Sequence, residues 1–404
     1  MGVFLLTLQI IFSGEEKFLK NIKQLTFAGE NAEAYFSKDG KYIVFQSKGE
    51  GGIYVIIDGK FLNKLQLNLN KMKAYDYVLK NLGNNKFMLF IKGIYDTAGI
   101  FEGIKYEKLF IKYYYNCDQI FLMDTNGFVF KQISKGGANT CSWFLNDSLI
   151  LFSSTIRQGL DCPENLYAQD YLKRGIYVWK LFNYDLYVYN LKNDSSYLLF
   201  SSESYDAEGE ANFGDTIVFT SSKDGDLELY LLSLKDKKII KRITNFIGYD
   251  GGAMFSKSGR YIVFRARHLK DSSEISEYKE LLNKNLIRPG EVELFIYDVQ
   301  KDSFWQLTNS PKGVSNFAPY FHPSEKFIIF SSNLHAPNSF NFELYKIDID
   351  GKNLQRITYS NGFNSFAMFS EDGKKLIWTS NRNGKTRRDF NIFVADFLEI
   401  QSSN

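Results

Sequence analysis

A unit of three short strands recurs along this chain, and one copy of it cannot bury both its faces. The first copy, residues 33–59, reads Glu33-Ala-Tyr-Phe-Ser-Lys-Asp-Gly40, Lys41-Tyr-Ile-Val-Phe-Gln-Ser47 and Gly52-Ile-Tyr-Val-Ile-Ile-Asp-Gly59. Asp39-Gly40 and Asp58-Gly59 are turn pairs, because glycine takes positive φ without a Cβ clash and aspartate hydrogen-bonds its own turn. A lone meander of this kind is marginal in water. Copies packed side by side are stable, so the repeat dictates an array or a ring.

The copies can be followed in order. A degenerate second one spans 74–78 and 86–90, and its third strand is delayed to 117–124 by an insertion at 91–116. The third has strands at 140–144, 148–152 and 184–189, with an insertion at 157–183. The fourth is compact, at 207–213, 215–219 and 227–231. The fifth, at 252–255, 260–264 and 293–297, encloses an insertion at 270–290. There Ile275, Tyr278, Leu281 and Leu282 share one helical face, Asp271 or Ser272 is the cap, and Pro289-Gly290 ends the segment. The sixth occupies 318–321, 326–330 and 343–347, and the seventh 366–369, 375–378 and 391–395.

A second signature precedes new copies: Lys23-Gln-Leu-Thr26, Lys131-Gln-Ile-Ser134, Lys241-Arg-Ile-Thr244, Trp305-Gln-Leu-Thr308 and Gln355-Arg-Ile-Thr358. The earliest of these, in the strand 22–26, stands before the first copy, while the seventh copy lacks a fourth strand. The expectation is an all-β, seven-bladed β-propeller over 20–398, closed by the N-terminal strand completing the last blade.

The Ser37-Lys-Asp-Gly40 and Ser370-Glu-Asp-Gly373 turns, each followed by a Lys-x-Ile-type strand, resemble the TolB-type, WD-like propeller repeat. That repeat also occurs in tricorn and prolyl-oligopeptidase propellers. The resemblance covers roughly the whole chain and implies the fold more than the task, because one propeller scaffold serves many functions. Lys38 and Lys257 stand where the family turn has proline, and the sixth copy has His322-Pro-Ser-Glu325. TolB itself has six blades behind an α/β domain, and both features differ from the expectation here. Exported TolB-like propellers of bacteria are a nearer likeness, through Cys-Asp-Gln-Ile at 117–120, the Gly-Tyr-Asp turn and Asn-Phe-Ala-Pro-Tyr-Phe-His-Pro at 316–323.

The net charge of +3 gives no bulk attraction to nucleic acid or an anionic membrane. The apolar run 3–12 is too short to span a bilayer and has the length of a signal-peptide core. Residues 1–14 are therefore read as a signal peptide, which implies a periplasmic or secreted protein that is not integral to a membrane. The sequence carries no Gly-x-Ser-x-Gly, His-Glu-x-x-His or Cys-x-x-Cys motif and no phosphate-binding glycine loop.

Two constellations remain. Propeller geometry places Cys117, Cys141 and Cys162 on one face. Cys141 with Cys162 is the first-choice disulfide and Cys117 lies nearby; three reduced thiols and a zinc site are the alternatives. The second constellation lines the channel mouth: Glu33, Asp206, Glu208, Asp250, Asn316 and Asn364. These form either a solvated acidic rim or a ligand site, with Asp206 and Asp250 as oxygen donors for Ca²⁺. His268 and His335 are secondary members. The expected function is a non-enzymatic platform for a ligand, a peptide or a cell-envelope protein. The alternative is a hydrolase or lyase joining the acidic mouth to a loop histidine.

Overall fold

The computed structural model describes residues 11–27, 29–49, 52–61, 77–92, 105–112, 115–212, 214–288, 290–384 and 386–399. Six four-stranded antiparallel blades follow one another. Blade one is Glu30–Phe36, Tyr42–Gly49, Tyr115–Asp124 and Val129–Gln132. Blade two is Asn139–Asn146, Leu149–Ser154, Asp185–Asn190 and Ser195–Phe200. Blade three is Asp206–Ala211, Thr216–Ser221, Glu228–Ser233 and Lys238–Arg242. Blade four is Gly248–Phe255, Tyr261–His268, Glu293–Asp298 and Ser303–Gln306. Blade five is Asn316–Phe321, Phe327–Ser332, Glu343–Asp348 and Gln355–Arg356. Blade six is Asn364–Phe369, Lys375–Ser380 and Asn391–Phe397, with Leu19–Gln24 as its outer strand. None of these sheets closes on itself.

The expectation of seven blades is thereby corrected to six. Gly52–Asp58 does not pair with Tyr42–Gly49. It lies between Lys86–Lys92 and Tyr106–Lys112 in a separate four-stranded sheet that also contains Tyr77–Gly83. The third strand of blade one is instead Tyr115–Asp124, from Tyr42 opposite Asp124 to Gly49 opposite Tyr115. The first two expected copies are one blade with a small sheet inserted in it. Part of the insertion expected at 91–116 belongs to that sheet, its last two residues begin the third strand of blade one, and most of the rest lies outside the described residues, as does most of the apolar run 3–12.

The recurring signature has a mechanical meaning. Its hydroxyl accepts an amide of the third strand of the same blade: Thr26 from Ile392, Ser134 from Ile120, Thr244 from Leu229, Thr308 from Leu294 and Thr358 from Leu344. Two residues earlier, Gln24, Gln132, Arg242, Gln306 and Arg356 each donate to the carbonyl of that same Thr or Ser at 2.7–2.8 Å. A buried amide at the end of a strand pairing is thus satisfied by a side chain. Asp-Gly turns work similarly at the opposite end. Ser37 Oγ donates to Asp39, accepts the Tyr42 amide, and Gly40 sits at φ 69°.

Insertions in blades two and four meet each other. The first carries the helix α1, Leu166–Lys173, capped by Asn165. The second carries α2, Ser272–Leu282, capped by Asp271, whose carboxylate accepts the amides of Ser273 and Glu274. Trp179–Lys180 pairs with Leu286–Ile287, and Ala168, Val178, Leu281 and Leu286 form a small apolar core between the two segments. Asn165 also donates to the Lys284 carbonyl at 2.9 Å.

Candidate functional site

The innermost strand of every blade carries a bulge at the same place. Glu33, Cys141, Glu208, Gly252, Ala318 and Phe366 have φ between 49° and 59°, each at a register shift against the second strand. Five of these are non-glycine residues in the left-handed region, a conformation that persists only where the surroundings enforce it. A bulge re-aims its side chain out of the regular alternation. Here Glu33, Cys141 and Glu208 reach a small axial cavity lined also by Tyr35, Trp143, Met254 and Arg265.

The electrostatics of that cavity are not those of an acidic ring. Glu208 accepts from Arg265 at 2.6 Å, from Thr220 at 2.7 Å, from the Gly252 amide at 2.8 Å and from the Tyr249 hydroxyl at 3.1 Å. Arg265 Nε donates to the same hydroxyl at 2.9 Å, and its guanidinium lies 5.7 Å from the ring centre of Trp179, which the blade-two insertion brings across. Burial pushes the Glu33 carboxyl up to about 7, against a hydrogen bond with Cys141 and with the Glu208 charge adding to the rise. Burial likewise holds the Cys141 thiol well above its ordinary range.

The remaining members of the expected rim lie elsewhere. Asp206, Asp250, Asn316 and Asn364 stand two residues before the bulges and are buried in the joints between blades. Asp206 accepts from the Ser202 amide and hydroxyl and from Ser221 at 2.6–2.8 Å. Asn316 donates to Glu293 and Asn364 to Glu343, both at 2.8 Å. Asp250 is paired with His268 Nε2 at 2.9 Å. Asp206 is thus engaged by three hydrogen-bond donors and Asp250 by His268. No group of three or more potential metal-ligating side chains occurs among the described residues. His335 lies beside the Tyr345 hydroxyl, far in sequence and setting from the Asp250 pair.

The cysteines divide differently from the first-choice pairing. Cys117 and Cys162 are bonded, with Cα atoms 5.7 Å apart, and Cys141 is the free thiol at the axial cavity. The reason is positional. The bulge turns Cys141 toward the axis, while Cys162 lies in the insertion beside the third strand of blade one. The bond ties that insertion to the neighbouring blade.

The larger opening is a cleft of about 420 Å³ between α2 and the loops of blade five. Trp179, Tyr249 and Tyr278 give it an aromatic wall, with Trp179 edge-on to Tyr249 at 6.3 Å. Arg267 pairs with Glu274 at 3.0 Å and Arg288 with Glu277 at 2.8 Å along its lip. Tyr278 donates to Asp226 at 2.6 Å, which pins α2 to blade three. Sequence reasoning missed Trp179, Arg265 and Arg267, because neither spacing nor type distinguishes them before the insertions are folded together.

No family model matches the chain, and no curated protein matches it either. Solved structures similar to it include TolB from Acinetobacter baumannii, with 16% identity and a TM-score of 0.46, covering 69% of this chain and 60% of that one. A putative TolB from Agrobacterium tumefaciens is 14% identical with a TM-score of 0.46, over 94% of this chain and 97% of that chain. An oligogalacturonate lyase from Vibrio parahaemolyticus is 8% identical with a TM-score of 0.47, over 93% of each chain. With its repeated turns and six four-stranded blades, the chain has the architecture of a β-propeller. Among the described residues no helix is long and apolar enough to cross a membrane.

Proposed function

We propose that this propeller is a non-enzymatic binding platform, and that a peptide or an extended segment of a partner protein seats in the cleft between α2 and blade five. The observation that carries this reading is the stitching of two insertions from separate blades into one aromatic-walled recess. Aromatic anchors in a partly enclosed recess supply binding area at little entropic cost, and side chains paired with each other along the lip can exchange those partners for a ligand's charges. Cys117–Cys162 and the apolar run 3–12 support an oxidising location, periplasmic or secreted. The hydrolase or lyase alternative has less support: Asp250 is sealed in a joint, and His268 is stacked on Phe246 at 4.3 Å and packed against Phe295.

The test is selection of displayed random peptides on the wild-type protein and on Trp179→Ala. Sequences enriched by wild type should lose most of their binding to the variant. Equal enrichment on both proteins would move the site away from the cleft.

A further inference from the structure

We propose that the joint between blades three and four is proton-linked: Asp250 and Glu228 hold a proton between them where the next two joints hold an asparagine amide. The comparison is internal to the molecule. In the joint between blades four and five, Asn316 Nδ2 donates to Glu293 Oε2, and between blades five and six Asn364 Nδ2 donates to Glu343 Oε2. Glu228, Glu293 and Glu343 each open the third strand of their blade, and Asp250, Asn316 and Asn364 each precede their bulge by two residues. Asp250 therefore faces Glu228 in the position of an asparagine, but an ionised carboxylate has no hydrogen to donate.

Three further changes accompany Asp250. Asn316 and Asn364 stand opposite Ser332 and Ser380 on the second strand, whereas Asp250 stands opposite Ala266. Ser310 and Ser360 each accept from the joint asparagine, but the matching position after Thr244 is Phe246. His268 fills the remaining space, stacked on Phe246 and bonded to Asp250 Oδ1. Asp250 and Glu228 are 0% and 1% exposed, and neither Asp250 Oδ2 nor Glu228 Oε2 has a hydrogen-bond partner. Two buried carboxylate oxygens left without donors in one joint are each missing a hydrogen, and one shared proton supplies both.

The groups facing this pair are few. Arg242 donates to Glu228 Oε1 at 2.8 Å, and Asp226 is held by Tyr278 and by the Gly248 amide. Burial pushes the Asp250 carboxyl up to about 7; His268 opposes the rise, and the Glu228 and Asp226 charges add to it. Burial raises Glu228 as well, against hydrogen bonding from Thr244 and Arg242. The unfolded chain gives up the Asp250 proton near pH 4 and the folded chain keeps it to about 7. Folding stability from this group is therefore complete below about pH 4 and falls as pH rises toward about 7. Since Tyr278 bonds Asp226 beside the joint and also lines the cleft, the proton sits next to the element that roofs the recess. The inference stands whether or not the cleft binds a peptide.

Calorimetric melting of wild type, Asp250→Asn and His268→Gln between pH 5 and 8.5 tests it. Asp250→Asn rebuilds the amide–carboxylate bond of the next two joints. Its Tm should exceed wild type by roughly 2–4 °C at pH 8 and match it at pH 5. His268→Gln removes the group that opposes protonation, so its fall in Tm should extend to higher pH than in wild type. An Asp250→Asn curve parallel to wild type overturns the proposal. If that variant does not fold, a His268→Gln curve superimposable on wild type overturns it instead.

Discussion

Two joints of this propeller solve the same problem with different chemistry. Between blades five and six, Asn364 bridges to Glu343, and Arg382, two residues past the second strand, donates to Asn364 at 3.0 Å. Arg382 also makes a two-pronged bond to Glu15 at 3.0–3.1 Å, both side chains being fully buried. Glu15 completes its set with the amides of Phe12 and Tyr359. Between blades three and four the corresponding places hold Asp250 and His268, and two carboxylate oxygens lack donors. In the first joint Asn364 is engaged on both sides and the Glu15 carboxylate on both oxygens, though burial raises Glu343 there too. In the second, burial raises Asp250 and one oxygen of each carboxylate has no donor. A repeat fixes the backbone of a joint, while single side chains decide whether that joint is permanent or adjustable.

The sharpest way to break the first joint is Arg382→Met. It leaves the Glu15 carboxylate buried without its partner and should cost about 3–5 kcal/mol in denaturant unfolding. Pairing it with Glu15→Gln should recover part of that loss. A variant as stable as wild type would show that Asn364 and Glu343 suffice.

The next effect recurs from joint to joint. Thr308→Val in the joint between blades four and five removes the hydroxyl that accepts the Leu294 amide and bonds Glu293. It should destabilise by about 1–3 kcal/mol, since a buried amide loses its acceptor. Thr244→Val strips the equivalent acceptor from Leu229 and should act in the same direction. Equal unfolding midpoints for either variant and wild type would remove the signature hydroxyl from the account of why blades hold together.

A smaller pH term comes from the axis. Glu33 is raised from 4.5 to about 7, so its contribution to stability falls as pH rises between about 4.5 and 7. Glu33→Gln should flatten that part of the melting curve, and its effect should add to that of Asp250→Asn because different elements carry the two groups. Non-additive curves would mean that the axis and the joint titrate together.

The smallest effect belongs to the cleft lip. Arg288 and Glu277 are each more than half exposed, so Glu277→Ala should leave Tm unchanged within error. A clear fall in Tm would give the lip pair a structural role that the exposed geometry does not suggest.

Much of the fold was legible in the residues. The Asp-Gly turns, the alternating strands and the helix at 272–282 follow from local chemistry, and local chemistry is written in sequence. The blade count was legible only in part, in a different signal from the strand pairs. One signature, Lys131-Gln-Ile-Ser134, follows Thr26 before blade two begins, which fits one blade in that span, but blade two ends without a signature, so five signatures mark six blades. Counting strand pairs gave seven because Gly52–Asp58 and Lys86–Lys92 have the pattern of blade strands while pairing with each other. Pattern reports that a segment is a strand, not which edge it joins.

What the sequence by itself determined is the repeating unit, its turns and the hydroxyl that locks the outer strand of five of the six blades, because those bonds join residues close in the chain or recur at a fixed spacing. Tertiary structure alone decided the fate of the polar residues. Glu33 and Asn31 lie two positions apart, yet a bulge sends one to the axis and leaves the other in a joint. The cleft arises only where insertions separated by about a hundred residues meet, and Cys162 finds Cys117 rather than Cys141 for the same reason. Which partner a side chain meets depends on how the ring brings distant segments together, and no local interaction encodes that distance.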